Sequence, residues 1–115
     1  MLSRKPKETV SAYCSLASIY DFVMRHVDYT HWADHVEGLI VRHQLVPTRL
    51  IDVACGTANL AVELTKRGYR MTGADACDEM LEVARKKVLD GGYDIGLHHR
   101  SFLELKGLDR HDCVL

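Results

Sequence analysis

Two acidic side chains and a run of small residues carry the chemistry most readily seen in this chain. Leu50-Ile-Asp52-Val is an apolar run holding a carboxylate. It breaks at once into Ala54-Cys55-Gly56-Thr57-Ala58, and a second run closes on Asp75, 19 residues after Gly56. Small residues let backbone N–H groups approach a ligand closely, and a helix beginning near Asn59 aims its positive dipole end at the same place. A carboxylate at the tip of the next strand offers only acceptors, which suits a pair of ribose hydroxyls. The layout is that of a nucleoside-binding βαβ unit, with the turn at one end of the ligand and Asp75 at the other.

Holding those residues in place requires strands alternating with helices. Strands are predicted over 49–53, 70–74 and 95–100, with a fourth opening at 112–115. A helix over 59–67 stops at Gly68, and one over 78–89 is ended by Gly91-Gly92. This spacing gives a parallel sheet with right-handed crossovers. Ahead of it, Val10, Tyr13, Cys14, Ala17, Tyr20, Val23, Met24 and Val27 recur at three and four and predict a helix over 8–27. Asp28 is placed as the cap of a second helix over 30–43, with Trp32, Val36, Leu39 and Ile40 on one face and Pro47 closing it. Residues 1–47 are therefore a helical lead-in or cap, and 48–115 a partial cofactor-binding α/β unit, within one domain.

Composition narrows the function classes. With 115 residues, 47% apolar and 27% charged, the chain has the make-up of an ordinary globular domain. A net charge of −1 gives no electrostatic case for a nucleic acid or an anionic membrane, and no apolar run reaches the length of a membrane span. Cys14, Cys55, Cys77 and Cys113 are widely spaced and read as reduced thiols of a cytoplasmic protein. Cys55 and Cys77 are taken as packing residues. His31 and His35 stand one helical turn apart, yet lack the Glu and the third ligand of a zinc motif, so no metal site is assigned. At most one of His98 and His99 faces the site. Arg85-Lys86-Lys87 reads as solvation and dipole complementation near a helix end.

Three segments carry a family resemblance. Asp52-Val-Ala-Cys-Gly-Thr-Ala58 resembles the Asp/Glu-x-Gly-x-Gly-x-Gly motif of class I S-adenosylmethionine-dependent methyltransferases. Asp75-Ala-Cys-Asp-Glu-Met-Leu-Glu-Val-Ala84 is similar to that family's Asp-x-Ser-x-x-Met-Leu-x-x-Ala, with Cys77 where a capping Ser is usual. Tyr20-Asp21 with Met24, Tyr29 and Trp32 resembles the N-terminal pieces of small bacterial members.

The resemblance implies a three-layer, Rossmann-like, doubly wound parallel sheet, here truncated after the start of strand four, with two helices ahead of it. The implied cofactor is S-adenosyl-L-methionine. Ala54, Cys55, Gly56 and Thr57 would meet its methionine part, and Asp52 would order the turn and face the ammonium. Asp75 would hold the ribose, Ala76 and Met80 would pack on adenine, and Ser101 and Phe102 would contact the adenine amino group and ring. Tyr20, with Trp32 as a second candidate, would close over the sulfonium.

Departures from the motif bear on affinity. Ala54 and Ala58 stand where the pattern has glycine, and Ala58 is expected to crowd the cofactor; Ser101 replaces an Asp. Residues that deprotonate a substrate commonly follow strand four, so no catalytic residue is assigned. The implied activity is methyl transfer to an acceptor that the sequence does not name, a small molecule being favoured. A non-catalytic nucleoside-binding or interaction fragment is the alternative. A nicotinamide-dependent oxidoreductase is disfavoured, because Ala54, Gly56 and Asn59 do not make Gly-x-Gly-x-x-Gly/Ala. An unfinished sheet leaves unpaired edge groups, so self-association into a homodimer through that edge is expected.

Overall fold

The computed structural model describes residues 15–101 and 113–115. A single turn of 3-10 helix at Ala17–Ile19 runs into the short helix α1 (Tyr20–Val23), and α2 (Tyr29–Arg42) follows. Then come β1 (Arg49–Asp52), α3 (Asn59–Lys66), β2 (Arg70–Asp75), α4 (Asp78–Gly91), β3 (Gly96–His99) and β4 (Cys113–Val114). The four strands form one parallel sheet in the order β3-β2-β1-β4. This half of a doubly wound sheet puts the carboxyl ends of β1 and β2 side by side, with Asp52 opposite Gly73.

Burial explains why these segments form strands. Leu50 and Ile51 alternate faces along β1, yet both are buried, as expected of a parallel strand covered on each side. Leu50, Leu64, Met80 and Leu81 are fully covered, each contributing about 1.5–3 kcal/mol of burial free energy. The predicted stops hold: α3 gives way at Gly68, and α4 ends with Gly92 in the left-handed region while the Tyr93 N–H returns to the Val88 carbonyl at 3.0 Å.

The lead-in departs from expectation. Of the helix predicted over 8–27, residues 8–14 lie outside the described residues. The remainder is a 3-10 turn, one helical turn at α1, and bends through Val27. Here Ala17 is buried and Tyr20 half-buried against Cys77 and Met80 of the α4 start, while Ile19, Phe22 and Val23 are exposed. With so little apolar surface covered, nothing sustains a longer helix.

Helix α2 does begin at the Asp28 cap, whose Oδ1 accepts from the His31 N–H at 3.0 Å. Its buried stripe is Ala33, Val36 and Ile40, however, and Trp32 and Leu39 face outward. The helix also stops before Pro47. Gln44 takes a left-handed φ of 56°, and the Leu45 N–H caps the Ile40 carbonyl at 3.0 Å.

Arg67 at the end of α3 fixes the rotation of α2. Its guanidinium donates to Glu37 Oε1 at 2.6 Å and to the Thr30 carbonyl at 3.0 Å, and pairs with Asp34 Oδ1 at 2.7 Å. Tyr69 adds a bond to Glu37 Oε2 at 3.0 Å. Among the described residues no helix is long and apolar enough to cross a membrane.

Candidate functional site

The turn after β1 is held by the strand beside it. The Cys55 N–H donates to the Ala74 carbonyl at 3.0 Å, carrying the β1–β2 pairing into the turn, and the Ala58 N–H closes it onto the Cys55 carbonyl at 2.9 Å. Gly56 has φ 55°, where a side chain is strained, and its N–H donates to Asp75 Oδ2 at 2.8 Å. Asp75 Oδ1 accepts the Cys77 N–H, also at 2.8 Å. The two points singled out in the sequence therefore touch. Asp75 is 6% exposed and already staples the turn to the start of α4, a duty that its place at a strand tip did not announce. Each oxygen keeps further acceptor capacity, since an ionised carboxylate has about four lone-pair sites.

Ala58 also takes a left-handed conformation, φ 68°, which costs an alanine about 1–2 kcal/mol. It is fully buried in the core cluster that includes Leu50, Ala61 and Leu64. The expected crowding of a cofactor by this residue is thus corrected: Ala58 packs in the core.

A cleft of about 230 Å³ opens at the carboxyl end of β1. Tyr20 and Tyr29 line it from the lead-in, and Asp52, Ala54, Cys55, Thr57, Asn59 and Leu60 from the turn and α3. It is smaller than the roughly 300–1,000 Å³ of sites that enclose a whole drug-sized ligand. Burial pushes the Asp52 carboxyl above its usual range, the Ala54 N–H at 3.3 Å opposes this, and the neighbouring Asp75 charge adds to it. A cationic group entering the cleft would meet an acid that gains by ionising. Burial, followed by the charges of Asp52 and Asp75, pushes the Cys55 thiol up to about 12. Cys55 is therefore a packing residue and no nucleophile.

Behind the cleft lies a polar knot that the sequence reading missed. Asp21 Oδ1 accepts from Thr57 Oγ1 at 2.6 Å and from Asn59 Nδ2 at 3.0 Å. Lys87 Nζ pairs with Asp21 Oδ2 at 2.8 Å, donates to Thr57 Oγ1 at 3.2 Å, and also donates to Asn59 Oδ1. The reading of Lys87 as a solvated charge is corrected. It lies three and seven residues beyond the buried Ala84 and Met80, on the inward face of α4, and that helical spacing was the available signal.

The adenine side is less complete. Ala76 is exposed beyond Asp75, and Ser101 is half-buried after β3. Met80 is wholly covered, packing with Ala17 and Cys77. Phe102 lies outside the described residues. Trp32 lines no part of the cleft. It is 54% exposed, with its ring edge-on to His35 at 6.3 Å. His99, one of the two histidines of which at most one was expected to face the site, hydrogen-bonds through Nε2 with the Ala76 carbonyl at 2.9 Å and braces the strand tips.

Cys77 fills the expected capping role, its sulfur accepting from the Met80 N–H at 3.4 Å. It is also disulfide-bonded, against the reading of all four cysteines as reduced thiols; its sulfur sits where the start of α4 packs on the lead-in. Among the described residues no group of three or more His, Cys, Asp or Glu side chains could hold a metal ion.

Comparison with known proteins follows this geometry. The sequence profile of the methyltransferase domain matches residues 50–115. A methyltransferase-family protein of Geobacillus sp. (strain WCH70) is 34% identical over 103 residues, covering 89% of this chain and 42% of its own length. Demethylmenaquinone methyltransferase of Thermotoga maritima is 29% identical over 104 residues, covering 86% and 44%. The crystal structure of an S-adenosylmethionine-dependent methyltransferase from Clostridium acetobutylicum superposes with a TM-score of 0.72 at 31% identity, covering 90% of this chain and 42% of that one. The chain thus spans less than half the length of these relatives. The profile match over more than half of the chain, the 34% identity to a methyltransferase-family protein and the superposition at a TM-score of 0.72 place the chain among the class I S-adenosylmethionine-dependent methyltransferases.

Proposed function

We propose that this chain forms the cofactor-binding part of a methyltransferase that passes a methyl group from S-adenosylmethionine to a small-molecule acceptor. The observation that carries the reading is the 2.8 Å bond from the Gly56 N–H to Asp75, which brings the turn and the ribose-binding acid to one point. In this reading Asp52 faces the ammonium, and Ala54, Cys55, Gly56 and Thr57 border the methionine part in the cleft. Asp75 takes the ribose hydroxyls on its remaining lone pairs, while Ala76, Ser101 and Phe102 bound the adenine; Met80, expected there too, is wholly covered and supports that side only through its packing with Ala17 and Cys77.

The groups present suit such a ligand. A cleft lined by the half-buried Asp52 carboxylate together with Tyr20 and Tyr29 favours a cation. When bound, the cofactor supplies a methyl group made electrophilic by the sulfonium. What these residues add is orientation and exclusion of water, which is most of what an in-line transfer needs. A small acceptor accords with the near-neutral charge of the chain. In this reading residues 1–47 act as the cap and 48–115 as the cofactor unit.

Calorimetric titration of the chain with S-adenosylhomocysteine tests the reading. Binding is expected, with a rise in melting temperature equivalent to about 2.7 kcal/mol at a hundredfold excess over Kd. Asp75→Ala is expected to weaken binding more than any other single change at the site. The absence of both binding heat and a thermal shift at millimolar ligand would overturn the proposal.

A further inference from the structure

We infer that Asp21 and Lys87 are positioning residues that set the width of the cofactor cleft, although neither lines it. The inference rests on the cofactor reading above. Tyr20, the chain neighbour of Asp21, lines the cleft from the lead-in, and Thr57 and Asn59 line it from the turn and the start of α3. Asp21 binds both of those last two side chains, at 2.6 and 3.0 Å, so a single carboxylate stitches the lead-in to the turn and α3. Lys87 comes in from α4 and holds all three partners at once.

Burial gives the knot its leverage. Thr57 is 1% exposed, so its hydroxyl has no water in easy reach as a substitute partner, whereas the Lys87 and Asp21 side chains are 24% and 40% exposed and keep water at hand. If Asp21 is lost, Lys87 keeps two neutral partners in the knot, and the bonds from the Asp21 carboxylate to Thr57 and Asn59 go with it. If Lys87 is lost, Asp21 still bridges the lead-in and the turn but is no longer anchored to α4. In both cases the methionine end of the ligand meets a wider and less ordered cleft.

The chemistry of the four groups permits an unusual control. The Thr57 hydroxyl donates to Asp21 and accepts from Lys87, and the Asn59 amide does the same with its two ends. Both can reverse, the hydroxyl by rotation and the amide by a flip. Exchanging the charges, Asp21→Lys with Lys87→Asp, therefore keeps opposite charges in the knot and a donor or acceptor for each partner, while the unequal lengths of the two side chains shift where they meet.

The test is S-adenosylhomocysteine affinity, measured by calorimetry on the full chain for wild type, Asp21→Asn, Lys87→Met and the exchange double variant. The ligand-free melting temperature of each is recorded as well. Each single variant is expected to lose about tenfold in affinity or more, and the double variant to recover part of it. Single variants that melt cooperatively and bind within twofold of wild type would overturn the inference while leaving the cofactor reading intact. A wild type that fails to bind would overturn the reading and the inference together. Should the single variants not fold, amide hydrogen exchange on wild type decides: saturating ligand is expected to slow exchange across α1, and unchanged exchange there would count against the knot.

Discussion

Asp52 is the residue at which pH should report on ligand binding. Burial raises its proton affinity, the Ala54 N–H lowers it, and the charge of Asp75 raises it again, the net direction being upward. A raised carboxyl disfavours the folded state when ionised, and that penalty fades as pH falls through the folded value. An ammonium docked beside Asp52 reverses the preference, so binding should release a proton at pH just above the ordinary carboxylate value. Titration with S-adenosylhomocysteine near pH 5, in two buffers of different ionisation enthalpy, is expected to show this release. The release is expected to fade as pH rises through and beyond the raised folded value of Asp52. Asp52→Asn should abolish the buffer dependence and weaken binding about tenfold; buffer-independent heats in wild type would place the ammonium elsewhere. Asp52, Gly56 and Asp75 were legible in the sequence because their types and spacing state a geometric need. The handedness of Ala58 and the partners of Lys87 were not, since each is decided by atoms far away in the chain.

At the scale of elements, the strands and the glycine stops were legible because short apolar runs bounded by breakers admit few alternatives. The rotation of α2 was not. Hydrophobicity alone favoured a stripe through Trp32, Val36, Leu39 and Ile40, whereas the pairing of Asp34 and Glu37 with Arg67 turns the helix to bury Ala33, Val36 and Ile40. Contacts between elements also fix side-chain size. Gly73 of β2 lies opposite Asp52 where the turn crosses the strand, and a Cβ there would stand 2.8 Å from Cys55 Sγ and 3.0 Å from Leu97 Cδ2. Gly73→Ala should therefore destabilise by about 1–3 kcal/mol in urea unfolding. Cys55→Ala in the same chain should recover part of that loss, although a 3.1 Å approach to the Cys55 Cβ remains. An unchanged midpoint for Gly73→Ala would show that the turn yields freely.

For the molecule as a whole, the two margins of the sheet differ in how they resist pairing with another copy. The outer strand β3 carries His98 and His99 and runs into Arg100, so polar and charged groups blunt that edge. The other edge, β4, is Cys113-Val114, without a charge in the strand and with Val114 63% exposed; among the described residues it pairs only with β1. We expect two copies to meet there about a two-fold axis, an isologous contact that places each β4 against its mate. A two-residue strand supplies few hydrogen bonds, at about 0.5–1.5 kcal/mol net each, so the association should be weak and concentration-dependent. Sedimentation velocity over a dilution series is expected to show a monomer–dimer equilibrium. Val114→Lys should shift it to monomer with little loss of stability, because the side chain it replaces is largely in water. A single monomeric species at every concentration would show that the β4 edge is protected in solution, and the expectation of a homodimer would then fall without touching the cofactor site at the opposite, carboxyl end of the strands.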